Sequence, residues 1–181
     1  MLEAIHIDHL EPHILSKDIA LQNFDCGDSD LNEFLLEDSF KYQEQGLAQT
    51  TCIFYKGGLV AFYSLASDAL SAQRLTGSAK KRDVHHAKRY IENFPAIKLA
   101  RMAVSEQYCG RKIGQAIISI VKGFAYSLHK QGVAVKYITV DAYKDRTGFY
   151  EKHGFVNNLE SDEEKADPKR HTISMRHHLF G

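Results

Sequence analysis

The stretch of residues 96–128 constrains the fold most, because a strand pattern leads directly into a long amphipathic helix pattern. Its first part, "AIKLARMAV", is typical of a strand, and "SEQYCGRK" separates that strand from the helix. The spacing of apolar residues after this turn predicts a helix with one apolar stripe that packs on a sheet. The stripe recurs at steps of three and four, at Ile113, Ala116, Ile117, Ile120, Phe124 and Leu128.

The rest of the chain supplies further strands and a short helix. "AQTTCIFY" and "LVAFYSLAS" flank Lys56, Gly57 and Gly58, which predicts a β-hairpin with a glycine turn. Alternating or apolar patterns predict three more strands, at "IHIDHL", "VKYITVDAY" and "HTISMRHHL". "DRTGFYEKHG" predicts a short helix that closes with Gly154.

Three polar stretches lie between these elements. "CGDSDLNEFLLEDSFKYQEQG" predicts a helix that Asp28 or Ser29 caps and that ends at Gly46. Residues 68–93 predict a loop plus at least one helix near residues 79–92, and "ESDEEKADPKR" predicts a charged loop. Since no repeat or linker divides the chain, we expect a single domain over residues 1–181.

Composition excludes several classes of protein. No apolar run reaches the roughly 18 residues that a membrane span requires, and the N-terminus lacks the pattern of a secretory signal. Three scattered cysteines, Cys26, Cys52 and Cys109, fit free thiols better than a disulfide framework or a zinc site. We therefore expect a cytoplasmic protein without a metal.

Charge is balanced overall but segregated along the chain. With 23 basic and 23 acidic residues, the protein is not expected to grip nucleic acid over its whole surface. Residues 1–50 carry eleven acidic side chains against Lys17 and Lys41, whereas residues 74–101 carry eight basic ones against two acidic ones. The basic stretch is either a contact for an anionic partner or, more commonly for such runs, a solvated surface.

The segment "QYCGRKIGQA", residues 107–116, has features of a phosphate-binding loop. A loop that enters a helix presents backbone N–H groups without intrahelical partners, and the helix dipole adds positive charge there. Gly110 and Gly114 would let an anion or the sheet come close, and Arg111 and Lys112 could neutralise charge. The pattern fits neither the P-loop nor the dinucleotide fingerprint, so a plain strand-to-helix turn is the alternative.

Several segments together resemble the GNAT family of N-acetyltransferases. Two of them are "LARMAVSEQYCGRKIGQAIISIVKGFA" and "FYEKHGF". Two earlier segments, "FDCGDSDLNEFLLEDSFKYQ" and "VAFYSLASDAL", resemble the branch of acetyltransferase toxins that block the amino group of aminoacyl-tRNA. The resemblance implies an α/β (α+β) fold with a mixed, mostly antiparallel sheet, a splayed parallel strand pair and flanking helices.

The family's pyrophosphate pattern, Gln/Arg-x-x-Gly-x-Gly/Ala, falls on residues 109–114. Cys109 stands where Gln or Arg is usual and Lys112 where the first Gly is usual, while Gly114 matches. The resemblance implies acetyl-CoA as acyl donor, with its pyrophosphate on backbone amides of this loop and its pantetheine beside the preceding strand. The implied cofactor-binding residues are Met102, Ala103, Val104, Cys109, Gly110, Arg111, Lys112, Ile113, Gly114 and Gln115.

Tyr150 in "GFYEKHGF" matches the family's tyrosine near the thioester sulfur, so the resemblance implies that it acts as general acid toward the leaving thiolate. A core tyrosine is the alternative, and His153 on the same helix could titrate near neutrality. Cys109 is interpreted as a turn residue, since direct acetyl transfer needs no nucleophilic thiol.

The acceptor side is less defined. No general base is evident, and the candidates are Asp68, Asp141, Ser64 through a water molecule, or solvent itself. Ser64, Asp68 and Arg101 are the candidate substrate-binding residues, and Arg101 with the basic stretch before it would suit tRNA phosphates.

Two functions follow as hypotheses. The first is an acetyl-CoA-dependent N-acetyltransferase whose acceptor is aminoacyl-tRNA, a protein amine or a small amine, with a homodimer and an antitoxin partner as further implications of the resemblance. The second is a CoA-binding regulatory module without turnover, which the departures at Cys109 and Lys112 motivate.

Overall fold

The computed structural model describes residues 3–75, 91–158 and 161–181, with only the backbone at residues 161–163. The predicted helix near residues 79–92 lies almost entirely outside the described residues. The strands are β1 (Glu11–Ile14), β2 (Gln49–Tyr55), β3 (Gly58–Ser71), β4 (Asn93–Val104), β5 (Tyr137–Tyr143), β6 (Val156–Asn157) and β7 (Thr172–His178). The helices are α1 (Ser29–Glu33), α2 (Ser39–Glu44), α3 (Ile113–Lys130), α4 (Thr147–Lys152) and α5 (Ser161–Ala166), and a π-helical segment, Phe34–Asp38, joins α1 to α2.

The chain divides into two compact units, Met1–Ala66 with Leu99–Val121 and Ser67–Lys98 with Lys122–Gly181. In the first unit the strands are adjacent in the order β1, β2, β3 and β4, and in the second in the order β3, β4, β5, β7 and β6. The sheet is mixed, as predicted, with antiparallel pairs and one parallel pair. The parallel pair is β4 and β5, because the chain returns between them through helix α3, the crossover that parallel strands require.

The predicted hairpin is confirmed. Tyr55 pairs with Gly58, and the two residues between them, Lys56 and Gly57, have φ of 50° and 76°. Positive φ at both central positions is the geometry that matches the twist of a two-residue hairpin. The turn therefore sets the register of β2 and β3 beside it, and an irregularity between Ile53 and Phe54 shifts the register further along.

The first unit builds its core from the hairpin and the α1–α2 segment. Asp28 is the N-cap, and its side chain accepts a hydrogen bond from the Leu31 backbone N–H. The rings of Phe24 and Phe34 pack against Phe62 of β3, with centroid distances of 5.5 and 6.2 Å. Such aromatic burial supplies a large share of a small core.

Three local predictions were wrong. "IHIDHL" is not a strand, since residues 7–9 form a 3₁₀ turn and strand β1 follows it. The charged segment after Asn158 is not wholly a loop, because it contains helix α5. On α3 the buried positions are Ile113, Ala116, Ile117, Ile118, Val121 and Ala125, whereas Phe124 is 44% exposed.

No helix among the described residues combines the length and the hydropathy that a membrane crossing would need.

Candidate active site

The predicted cofactor-binding residues all belong to the first unit. We call residues 105–114 the cofactor loop; it follows β4 and contains a 3₁₀ turn at Glu106–Tyr108 before α3 begins at Ile113. Cys109, Gly110 and Lys112 are exposed, whereas Ile113 is buried in the core. The loop therefore offers its backbone and its tip to a ligand while Ile113 fixes the start of the helix.

The backbone conformation of Lys112 is relevant to its place in the family pattern, where a glycine is usual. Its φ is 63°, in the left-handed region, and Gly110 has a φ of 79°. A glycine adopts this conformation without steric cost, whereas a residue with a side chain is disfavoured there by roughly 1–2 kcal/mol. The lysine thus adopts a backbone conformation that a glycine would adopt without strain.

The start of α3 is suited to an anion. The Lys112 carbonyl accepts the first bond of the helix, from the Ala116 N–H at 3.1 Å, so Lys112 is the N-cap. Because a lysine side chain has no oxygen, Lys112 cannot itself accept from the following amides, which suits those N–H groups to an anionic ligand. The donor set of this turn therefore fits a pyrophosphate group.

Arg111 is engaged within the protein. Its Nε donates to the Glu3 carbonyl at 3.1 Å, and its own carbonyl accepts from the Ile5 N–H at 3.0 Å. The guanidinium carbon lies 5.6 Å from the ring centroids of both Tyr55 and Tyr108. This arrangement favours a structural role for Arg111 over the charge-neutralising role that the sequence suggested.

The residues of β4 that precede the loop alternate in exposure. Ala103 is buried, Met102 and Val104 are half-buried, and Arg101 is exposed with its guanidinium carbon 5.3 Å from the Phe34 ring centroid. Arg101 remains accessible to an anionic partner. Its stacking on a core aromatic ring was not predictable from the local sequence.

Ser64 lies in the core of the first unit. Its side chain is fully buried, and its hydroxyl oxygen is 2.8 Å from that of Thr50. This position argues against the predicted contact with substrate, because both hydroxyls satisfy each other away from solvent.

Tyr150 belongs to the second unit and is positioned by helix α4. The residue is 7% exposed, and its ring contacts those of Phe149 and Phe155 at 5.1 and 5.5 Å. Burial raises the pKa of Tyr150 to about 12. The phenol is thus fully protonated at neutral pH and can donate a proton but cannot act as a base.

Two basic groups that the sequence did not single out bind the end of α4. Lys122 Nζ donates to the His153 carbonyl at 2.7 Å, and His177 Nδ1 lies 2.9 Å from the Gly154 carbonyl oxygen. Since a carbonyl only accepts, His177 carries its proton on Nδ1. Burial is the main cause that lowers the pKa of both His153 and His177, and the Lys122 ammonium adds to it.

The two candidate carboxylate bases also lie in the second unit, and both have partners. Asp68 accepts hydrogen bonds from the Thr139 hydroxyl and from the Ala69 N–H. Asp141 pairs with Lys98 Nζ at 2.5 Å. Neither carboxylate is therefore a free acceptor for a substrate proton.

The strand, the loop with its left-handed residues and the helix start at Lys112 form an α/β arrangement whose backbone donors suit an anion. Residues 49–157 match the acetyltransferase (GNAT) domain, which is more than half of the chain, and the chain therefore belongs to the GNAT family. It is accordingly an N-acetyltransferase, with acetyl-CoA as acyl donor.

Three solved structures illustrate the fold that this chain shares. A tyrosine-to-phenylalanine mutant of KacT has a TM-score of 0.75 at 17% identity, over 92% of this chain and 94% of that one. AtaT complexed with acetyl-methionyl-tRNAfMet has a TM-score of 0.74 at 19% identity, over 91% and 93%. AtaTR bound with acetyl-CoA has a TM-score of 0.70 at 20% identity, over 92% and 93%.

Proposed function

We propose that this protein transfers the acetyl group of acetyl-CoA to the primary amine of an aminoacyl-tRNA. The observation that carries the donor half is the uncapped start of α3 behind the left-handed Lys112. The acceptor half is supported by the likeness to AtaT, which was solved with an acetylated aminoacyl-tRNA, and by the basic sequence of residues 74–101. A protein amine or a small amine is the alternative acceptor.

The cofactor loop would hold the pyrophosphate through backbone N–H groups. Gly110, Lys112, Gly114 and Gln115 would contribute these donors or close backbone approach, and the Lys112 ammonium would add charge. Met102, Ala103 and Val104 would contact the pantetheine arm through main-chain groups. Such contacts depend on backbone path more than on side-chain identity.

Tyr150 would act as the general acid. Acetyl-CoA, when bound, would supply an activated thioester. Attack of the neutral amine on the acetyl carbonyl would break the carbon–sulfur bond, with its electron pair going to sulfur and one amine proton to solvent. The Tyr150 phenol, which burial keeps protonated at neutral pH, would donate its proton to that thiolate and regain one from solvent.

Solvent is the simplest base for the acceptor ammonium. Asp68 and Asp141 both have partners among the described residues, and Ser64 is buried. This assignment requires the rate to rise with pH as the amine deprotonates, without a carboxylate ionisation near pH 4.

Domain organisation, location and partners are further parts of the proposal. We propose one catalytic domain, supported by β3 and β4, each of which contributes residues to both compact units. We also propose a cytoplasmic location, supported by three free cysteines, and an antitoxin partner, supported by the likeness to AtaT bound to the antitoxin AtaR. A homodimer is proposed only as an implication of the family resemblance.

The test is acetyl-CoA binding by calorimetry, followed by CoA release with charged tRNAs, peptides and small amines. We expect binding, and turnover only with the charged tRNAs. No binding would refute the proposal. Binding without turnover for any acceptor, unaffected by Tyr150→Phe, would support the regulatory module instead.

A further inference from the structure

The conformation of the cofactor loop needs support from outside the loop. Lys112 is held in the left-handed region, and a non-glycine residue persists there only when its surroundings determine the backbone path. Helix α3 fixes the loop at its C-terminal end, and the Val60 carbonyl accepts from the Ser105 N–H at 2.9 Å at the other. Two further contacts to the loop come from residues 3–5 and from the turn at residues 25–32.

The first contact joins residues 3–5 to Arg111. The Ile5 N–H donates to the Arg111 carbonyl, and Arg111 Nε donates back to the Glu3 carbonyl, at 3.0 and 3.1 Å. Ile5 is 5% exposed, so its side chain anchors this pair in the core. The bonded carbonyl belongs to the residue directly before Lys112.

The second contact joins the turn at residues 25–32 to Glu106. The Glu106 N–H donates to the Asp25 carbonyl at 3.0 Å. Asn32 organises this turn, because its Oδ1 accepts from the Cys26 N–H at 3.0 Å and its Nδ2 donates to Asp25 Oδ1 at 2.7 Å. Asp25 Oδ1 also accepts from the Gly27 N–H at 2.9 Å, which lowers the pKa of Asp25.

Gly27 brings the turn against the loop. Its φ is 76°, and a Cβ atom at this position would lie 2.4 Å from Glu106 Oε1 and 2.9 Å from Glu106 Cδ. An alanine here would push the exposed end of the Glu106 side chain aside and would also be strained at this φ. The turn therefore lies in close contact with Glu106 of the cofactor loop.

We infer that residues 3–5 and 25–32 form a buttress that holds the cofactor loop in its binding conformation, with Gly27, Asn32 and Arg111 as positioning residues. This inference rests on the proposed function of the loop. Both halves of the buttress lie before residue 49, where the match to the GNAT domain begins.

The test uses Gly27→Ala, with Gly46→Ala as its matched control. Gly46 also has a positive φ, of 69°, but a Cβ there would meet nothing within 4 Å. We expect Gly27→Ala to weaken acetyl-CoA binding about tenfold by calorimetry, the order of one or two lost hydrogen bonds, and to speed hydrogen exchange of the amides at residues 107–114. Gly46→Ala should stay within about twofold of wild type on the same scale.

A rescue separates the contact from local strain at Gly27. In the Gly27→Ala, Glu106→Ala double variant the clashing carboxylate is absent, while the backbone bond from Glu106 to Asp25 can still form. We expect affinity to return to within about threefold of the Glu106→Ala single variant. Absence of rescue, or equal affinities for Gly27→Ala and Gly46→Ala, would overturn the inference.

A second variant keeps the test decisive if Gly27→Ala fails to fold. Asn32→Ala removes the organising amide, and Asn23→Ala makes the same change at an exposed position of the same segment. Faster loop exchange and weaker binding for Asn32→Ala alone support the buttress, and equal behaviour of the two variants overturns it. If wild type itself binds no acetyl-CoA, the proposed function fails, whereas tight wild-type binding with unaffected variants refutes only the buttress.

Discussion

The cofactor loop and helix α4 differ in the interactions that define them, which are backbone hydrogen bonds in the loop and the burial of one side chain on the helix. The loop is exposed at Cys109, Gly110 and Lys112, and backbone hydrogen bonds determine its shape. Helix α4 presents Tyr150 from an apolar setting, where burial raises the pKa of this one side chain to about 12. The difference indicates which substitutions each region tolerates.

A site made of backbone tolerates side-chain changes that preserve φ and ψ. This accounts for Cys109 and Lys112 in positions that the family usually gives to other residues. A site that depends on the Tyr150 phenol would tolerate almost no substitution of that residue, because no other residue combines a neutral proton donor with the same shape. Four experiments test this contrast.

The largest effect is expected for Tyr150→Phe. Loss of a general acid lowers kcat by about 10²–10⁴-fold, whereas the Kd of acetyl-CoA should be unchanged because the ring and its packing remain. Acetyl transfer to the acceptor and calorimetric binding measure the two quantities. Tyr126→Phe, at a position that is 45% exposed, is the control. Equal kcat in wild type and Tyr150→Phe would remove Tyr150 from the mechanism.

The second experiment measures stability at alkaline pH. The pKa of Tyr150 is raised to about 12 in the folded protein, so its contribution is fully present below the unfolded value near 10 and is lost as pH rises toward 12. Between pH 9 and pH 11 the wild type should lose about 1.4 kcal/mol more than Tyr150→Phe in denaturant unfolding. Parallel pH profiles would show that Tyr150 is not buried as described.

The third experiment removes the donor at the end of α4. Lys122→Met leaves the His153 carbonyl without its partner, and we expect a loss of about 1 kcal/mol of stability together with a lower kcat. Thermal unfolding and acetyl transfer check both. Lys130→Met changes an exposed lysine of the same helix and should be neutral. Unchanged activity in Lys122→Met would mean that Tyr150 does not depend on this bond.

The smallest effect is expected at the loop itself. Lys112→Gly relieves the left-handed strain but adds freedom to the unfolded chain, so we expect a net gain of about 0.5 kcal/mol in stability. Acetyl-CoA affinity should fall slightly, and the fall should shrink at high salt, because a charge near phosphate is lost. Destabilisation by this change would show that the lysine side chain supports the loop.

The sequence predicted the elements whose signals are local. The hairpin at Lys56 and Gly57, the Asp28 cap and the end of α4 at Gly154 each follow from residues within a few positions. Predictions failed where neighbouring turns compete, as at "IHIDHL", or where several apolar residues crowd one helix, as for Phe124 on α3. There the three-residue and four-residue spacings give more than one possible stripe, and packing decides which is buried.

What the sequence determined by itself is the resemblance to the family, which implies the acyl donor and the strand, loop and helix that would bind it, because the motifs that carry the resemblance are local in the chain. What only the tertiary structure decided is how single side chains are used. Arg111 binds Glu3, 108 residues away, Ser64 is enclosed with Thr50, and Lys122 and His177 bind the end of α4. Contacts between residues so distant in the chain leave no local pattern, and burial alone sets the pKa of Tyr150.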